Sequence, residues 1–248
     1  MALREELEKQ GGWLFRWRNY LPLLMLPILL MALRDSGDFE RVFGDTADTF
    51  FGGFCIVVSF LGLVIRSMTI GHVPKGTSGR NTRTQKAETL NTTGIYSVVR
   101  HPLYFGNFVI FLGIVLYVRV WWFGLIAISA FWLYYERIMF KEEEFLRKKF
   151  GESYLEWSEK TPAFLPRFKH WQPPSLSFSF RNVLKREYSG FFGIVASFTF
   201  LAILQALFKE GKFEFESGWV LFFLIGLGIY LTLRMLKKKT KIFHVEGR

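Results

Sequence analysis

Six stretches of this chain run for 14 to 19 residues without one charged side chain: 20–33, 50–65, 103–118, 120–135, 190–208 and 217–233. A helix needs about 20 mostly apolar residues to cross a hydrocarbon core of ~30 Å. Runs of this length, in a chain that is 50% hydrophobic and carries 29 Phe and 8 Trp, have no comfortable home in water. The pattern predicts an all-α polytopic membrane protein with about six transmembrane helices. Sixteen residues of helix cover only about 24 Å, so the third and fourth stretches are expected to form a tight hairpin. Arg119 and the Trp121–Trp122 pair between them belong at the far interface, where Arg snorkels and Trp prefers to lie. Pro22 and Pro27 are expected to kink the first span. Gly226 and Gly228 allow close helix approach in the last one.

The loops sort by charge. Segments 1–19, 66–102, 136–189 and 234–248 hold 27 of the 32 Lys and Arg residues, and the alternate loops hold 5. The positive-inside rule puts the rich set in the cytosol. Both termini are then cytosolic, in an inner or plasma membrane if the source is bacterial. The net charge of +11 flanks the spans, which suits anionic lipid head groups and argues against nucleic acid. The opening Arg4, Glu5, Glu6, Glu8 and Lys9 do not have the form of a signal peptide, and none is expected. No carboxylate falls inside a span, so a proton or ion pathway, and with it a transporter, is not indicated.

One cysteine, Cys55, gives no intrachain disulfide, and His72, His101, His170 and His244 lack the spacing of metal ligands. No metal is expected. The chemistry lies in the long cytosolic segments. Residues 92–106 read Thr-Thr-Gly-Ile-Tyr-Ser-Val-Val-Arg-His-Pro-Leu-Tyr-Phe-Gly and run straight into the third span. Pro102 suits the first turn of a helix, where its missing N–H costs nothing. The helix start offers free N–H groups and a positive dipole end beside Arg100 and His101, a place to hold a carboxylate or phosphate. The fourth span continues into Glu142, Glu143 and Glu144. An antiparallel hairpin brings Arg100–His101 and Glu142–Glu143 to face one another across one pocket, and a sulfonium or its amino group would find carboxylates there. The plainer reading makes Arg100 and His101 flank residues and leaves Glu142–Glu144 to pair with Arg147 and Lys148 along the helix.

These residues carry a resemblance. The chain is similar to the isoprenylcysteine carboxyl methyltransferase and phospholipid methyltransferase superfamily, whose pattern reads Thr-x-Gly-x-Tyr, Arg-His-Pro-x-Tyr-x-Gly, an apolar hairpin, Glu-Glu, Leu-x-x-x-Phe-Gly-x-x-Tyr and Pro-x-Phe-x-Pro. Here the blocks are 92–96 (with Thr93 before Gly94), 100–106, Glu142–Glu143, then Leu146, Phe150, Gly151 and Tyr154, and finally 162–166. The resemblance implies a membrane methyltransferase core over 88–168, an N-terminal transmembrane region over 1–87 and a C-terminal two-helix extension over 169–248. It implies S-adenosylmethionine as cofactor, held by Leu90, Gly94, Tyr96, His101, Pro102, Tyr104, Gly106, Glu142 and Glu143. Small members end soon after the last block, whereas this chain continues for about 80 residues. Those residues are expected to shape an acceptor site or an oligomer interface.

The expected reaction is methylation of a membrane lipid head group, or of a lipid-modified group, at the cytosolic face. An in-line displacement at a sulfonium asks the protein mainly to align the partners and exclude water. A carboxylate or phosphate acceptor needs a positioning cation, for which Arg100 is the candidate. An amine needs a base, for which Glu143 is the candidate. Lys75, Arg80, Arg83, Lys86, Arg181, Lys185 and Arg186 favour an anionic head group. An NADPH-dependent reductase of the sterol type is the alternative enzyme.

Overall fold

Apolar residues recurring around the whole circumference of a helix leave no polar face, and such helices must pack on one another or on lipid. The computed structural model describes residues 2–17, 21–77, 87–211, 216–245 and 247, and among them every regular element is helical. Among these described residues nine α-helices occur in order: α1 (Leu3–Trp17), α2 (Leu26–Ala32), α3 (Asp38–Phe43), α4 (Asp45–Gly71), α5 (Pro102–Tyr117), α6 (Trp121–Phe150), α7 (Glu152–Lys160), α8 (Phe180–Glu210) and α9 (Ser217–Lys239). Among the described residues α4, α6, α8 and α9 are long and apolar enough to cross a membrane, and α5 is a shorter apolar helix. The chain is an integral membrane protein.

The expected count of six meets a difference at the first apolar stretch. There the chain forms a 3-10 turn (Leu21–Met25), the seven-residue α2 and a second 3-10 turn (Leu33–Asp35). Proline lacks the N–H that would continue the ladder, and Pro22 and Pro27 break the stretch. α1 lies along α6, and the broken segment after it reaches the start of α6. The Tyr134 hydroxyl donates to the Leu14 carbonyl (3.4 Å), and the Trp122 indole N–H donates to Asp35 (3.1 Å).

The closest helix pairing is between α4 and α5. Small residues make it possible. A β-carbon on Gly62 would stand 2.5 Å from the Ile110 nitrogen, and one on Gly113 would stand 2.3 Å from the Ser59 hydroxyl. Ser59 donates to the Ile110 carbonyl at 2.8 Å across the same seam. α8 also packs on α4, with Phe60 against Phe191 (5.9 Å between ring centroids), and α9 packs mainly on α8, where Gly226 admits Val195, while its Trp219 meets Tyr117 of α5 (6.0 Å). Phe198, Ile194, Cys55, Val118 and Ala127 form the buried centre.

Two corrections concern charge. The Arg119 side chain does not extend away from the bundle. The residue occupies the left-handed region (φ 66°) in the α5–α6 turn, and its side chain is buried in an ion pair with Asp48. The bundle also holds buried carboxylate. The helices run beyond the apolar stretches, because charges paired inside a bundle do not terminate it, and Arg66 of α4 and Glu187 of α8 are thereby drawn in.

Candidate functional site

Backbone hydrogen bonds between two loops set the site. Residues 98–101 lie beside 162–167: the Arg100 N–H donates to the Pro162 carbonyl (2.9 Å), the His101 N–H to that of Ala163 (3.2 Å) and the Arg167 N–H to that of Val98 (2.9 Å). Phe164 anchors this ladder from below, edge-on to Phe105, Phe108 and Trp132. Pro102 then starts α5, with His101 as its cap residue. The preceding 3-10 turn, Gly94–Ser97, is tied down in turn. The Gly94 N–H donates to the Gln172 carbonyl (3.0 Å), and the Tyr96 carbonyl accepts from the Trp157 indole (3.0 Å). Gly94 sits at φ 61°, where a side chain is strained and a β-carbon would press on Pro174.

α5 and α6 are antiparallel, as the ring pairs Phe111–Phe131 and Tyr104–Tyr135 require. Their ends on this side therefore meet. His101 Nε2 is 2.9 Å from Glu143 Oε1, His101 Nδ1 is 3.7 Å from Glu142 Oε2, and Arg100 Nε is 3.3 Å from Glu143 Oε1. The His101 side chain is buried while Glu142 and Glu143 stay partly open, at 35% and 25% exposure. Burial works against the imidazolium, but hydrogen bonds and charge from Glu142 and Glu143 outweigh it and hold the His101 pKa above its usual 6.5. Tyr104 stacks on His101 (5.6 Å, planes 21° apart) and completes an aromatic wall with Tyr135.

The remaining sequence candidates fall as follows. Pro102 and Gly94 are buried, and Leu90 and Tyr96 are half-buried on the stretch leading into the site. Gly106 faces α4, where a β-carbon would come within 2.6 Å of the Arg66 side chain. Glu144 turns to the opposite side of α6 and pairs with Arg4, and Lys148 pairs with Glu8 (3.2 Å), in place of the pairings along α6. Of the basic residues read as an acceptor face, Arg80, Arg83 and Lys86 lie outside the described residues.

Two features escaped the sequence. Tyr154 of α7 is buried with its hydroxyl beside Glu143 and Arg100, and burial followed by the Glu143 charge raises its pKa so that the phenol stays protonated. Its place in the Phe-Gly-x-x-Tyr block was the available signal. The second is a buried polar group of Arg66, Asn107 and Glu187, which no local spacing announces.

A groove of about 400 Å³ between α8 and α9, lined by Ala196, Phe200, Trp219 and Phe223 among others, is apolar and remote from these carboxylates. Among the described residues no three His, Cys, Asp or Glu side chains converge to hold a metal ion.

A membrane helical hairpin whose start carries Arg-His-Pro and whose return carries Glu-Glu defines a class before it defines a protein. Residues 48–153 match the phospholipid methyltransferase family, a stretch that takes in α4 as well as the hairpin. The chain is 33% identical over 81 residues to a protein-S-isoprenylcysteine O-methyltransferase of Schizosaccharomyces pombe, covering 33% of this chain and 34% of that protein. This segment is thus similar to the membrane superfamily that unites these two kinds of methyltransferase. The chain is also similar to a nickel-cobalt-cadmium resistance protein of Alcaligenes xylosoxydans xylosoxydans (31% identity, 52% of this chain and 57% of the relative). A cobalt-zinc-cadmium resistance protein of Cupriavidus metallidurans shares 35% identity over 37% of this chain and 42% of its own length. The matches thus span little more than half of these relatives at most. No solved structure matches significantly.

Proposed function

We propose that the chain is an S-adenosylmethionine-dependent methyltransferase acting on a membrane lipid head group, or a lipid-attached group, at the cytosolic face. The observation that carries this reading is the direct meeting of Arg100 and His101 with Glu142 and Glu143 within a segment that matches the phospholipid methyltransferase family. The donor set fits the cofactor. Partly open carboxylates on Glu142 and Glu143 suit its cationic groups, the Tyr104 ring offers a π-face to a cation, and Arg100 suits a carboxylate. When bound, S-adenosylmethionine supplies an electrophilic methyl group. The chain's own residues then have to orient the acceptor and keep water out. His101, hydrogen-bonded to Glu143 and set beside Glu142, helps to fix the rotamers of both. Arg100 positions an anionic acceptor, and Glu143 takes the proton from an amine. The Lys and Arg asymmetry of the loops supports both termini, and this site, on the cytosolic side.

Arg100→Lys tests the assignment, because it keeps the charge and loses the planar fork. The expected outcome is at least about a tenfold fall in methyl transfer at saturating cofactor, roughly 1.4 kcal/mol of transition-state stabilisation, with cofactor affinity by calorimetry changing much less. Lost affinity with full turnover at saturating cofactor would make Arg100 a cofactor ligand instead.

A further inference from the structure

Lysine and arginine collect at one end of the α8–α9 pair without acids to match. Residues 180–189 and 230–245 together hold eight Lys and Arg against one carboxylate, Glu187. That carboxylate turns into the bundle, where both of its oxygens accept from Arg66 of α4 (2.8 Å each). Where α1 meets α6 the chain supplies its own acids: Lys141 and Lys148 share Glu8, and Arg4 pairs with Glu144. Among the described residues Arg181, Lys185, Arg234, Lys238 and Lys239 form no ion pair.

The two helices bring these cations to one height. α8 and α9 are antiparallel and joined by a seam of rings. Phe192 packs on Phe223 (5.7 Å) and on Tyr230 (4.8 Å), and Tyr188 stacks on Tyr230 (5.4 Å). Past the last ring, Lys237 of α9 lies over Tyr188 of α8 (4.9 Å). The pairs run back along α8 as they run forward along α9. Lys185 and Arg181, one and two turns before Tyr188, therefore stand level with the stretch 234–239. Arg234 donates to the Tyr230 hydroxyl (2.8 Å), which holds its guanidinium at the edge of the seam. Tyrosines beneath a tier of cations mark the boundary between hydrocarbon and water. Leu224, Leu231 and Lys238 recur every seven residues and share one side of α9, and both leucines are exposed. A soluble anion would use the cations alone, whereas a phospholipid uses the cations and the apolar side beneath them.

This tier lies on the same side of the bundle as the carboxylate site, because the Ser179 N–H donates to the Gly71 carbonyl at the end of α4 (2.9 Å). It is nevertheless a separate place. α9 packs on α8 and α8 on α4, whereas α6, which carries Glu142 and Glu143, packs on α1 and α5. Arg181 and Lys185, read from the sequence as part of an acceptor face, stand with α9.

We propose that Arg181, Lys185, Arg234 and Lys238 bind the phosphate head group of an anionic phospholipid, with its acyl chains along the exposed apolar side of α9, apart from the methyl-transfer site. Cations clustered between helices at a membrane surface draw anionic head groups, and arginine holds a phosphate through two parallel hydrogen bonds. The C-terminal extension thereby seats the chain in anionic membrane, whatever reaction the other helices perform.

The test titrates the full chain in neutral detergent with phosphatidylglycerol or phosphatidylcholine of the same acyl chains and counts bound lipid by native mass spectrometry. Wild type is expected to bind phosphatidylglycerol at least about tenfold more tightly, and Lys185→Gln/Lys238→Gln to lose at least about tenfold of that affinity with phosphatidylcholine unchanged. Arg181→Gln/Lys239→Gln should move in the same direction and serves if the first pair does not fold. Lys160→Gln/Lys169→Gln removes two exposed cations elsewhere and should keep the preference. Equal wild-type affinity for the two lipids overturns the proposal. So does a preference that survives both patch variants, or one that falls as far in Lys160→Gln/Lys169→Gln, which would make it a property of overall charge. Inorganic phosphate that displaces phosphatidylglycerol at equal concentration would make this a site for soluble anions and overturn it as well.

Discussion

The two ends of the α5–α6 hairpin each carry an arginine among acidic and aromatic neighbours, and they are built for different purposes. At the turn, Arg119 pairs with Asp48, donates to the carbonyls of Tyr117 (2.7 Å) and Asp48 (3.1 Å), reaches Gln205 (3.4 Å) and lies over the Tyr117 ring (4.7 Å). Gln205 closes the group by donating to the Tyr117 carbonyl (3.1 Å). One cation meets one anion, both are covered, and α4, the turn and α8 are tied together. At the open end, Arg100 and His101 meet two carboxylates that remain partly exposed, beside a buried phenol. A closed, neutral cluster serves the fold. A cluster with half-open carboxylates has capacity left for a ligand.

The comparison breaks most visibly at the turn. Removing one partner of a buried pair leaves an uncompensated charge and costs about 3–5 kcal/mol. Arg119→Ala should therefore give a large loss of thermal stability in detergent, while the folded fraction keeps its affinity for S-adenosylmethionine. An Arg119→Ala protein of ordinary stability and impaired affinity would reverse the assignment of the two ends. The opposite pattern is expected at the open end. Glu142→Gln and His101→Ala should stay folded and bind S-adenosylmethionine at least about tenfold more weakly, about 1.4 kcal/mol. Unchanged calorimetric affinity in both would remove the cofactor from this site.

The smallest effect is one of pH. The folded-state pKa of His101 is raised above 6.5, so its ion pairing stabilises the fold fully below that value and the contribution fades as pH rises through the raised pKa. Wild type should lose melting temperature between mildly acidic and mildly alkaline pH, and His101→Asn should lose less. Equal slopes would mean that the imidazolium is not held as described.

Much of this contrast was legible before any coordinates. Charge-free stretches announced the helices, and the antiparallel logic of a short hairpin brought 100–101 to 142–143, because consecutive apolar stretches joined by one residue have no other way to pack. What stayed hidden depends on partners distant in sequence. Glu187 is 121 positions from Arg66, and each looks like an ordinary flanking charge when read alone. The same holds for α1, whose Glu8 and Arg4 grip Lys141 and Glu144 more than 130 positions away. Gly106 carried a motif signal, but its contact with α4 needed the neighbouring helix to be in view.

The central claim is that the open end of the hairpin carries S-adenosylmethionine-dependent methylation in a membrane. Its most direct test is transfer of labelled methyl from S-adenosylmethionine into membranes containing the wild-type chain, followed by identification of the labelled species. The account predicts label in a lipid or lipid-attached group, lost in Glu142→Gln at low cofactor concentration and retained in any folded Arg119→Ala protein. The absence of transfer by wild-type protein shown to bind the cofactor, or label that is indifferent to Glu142, would contradict it.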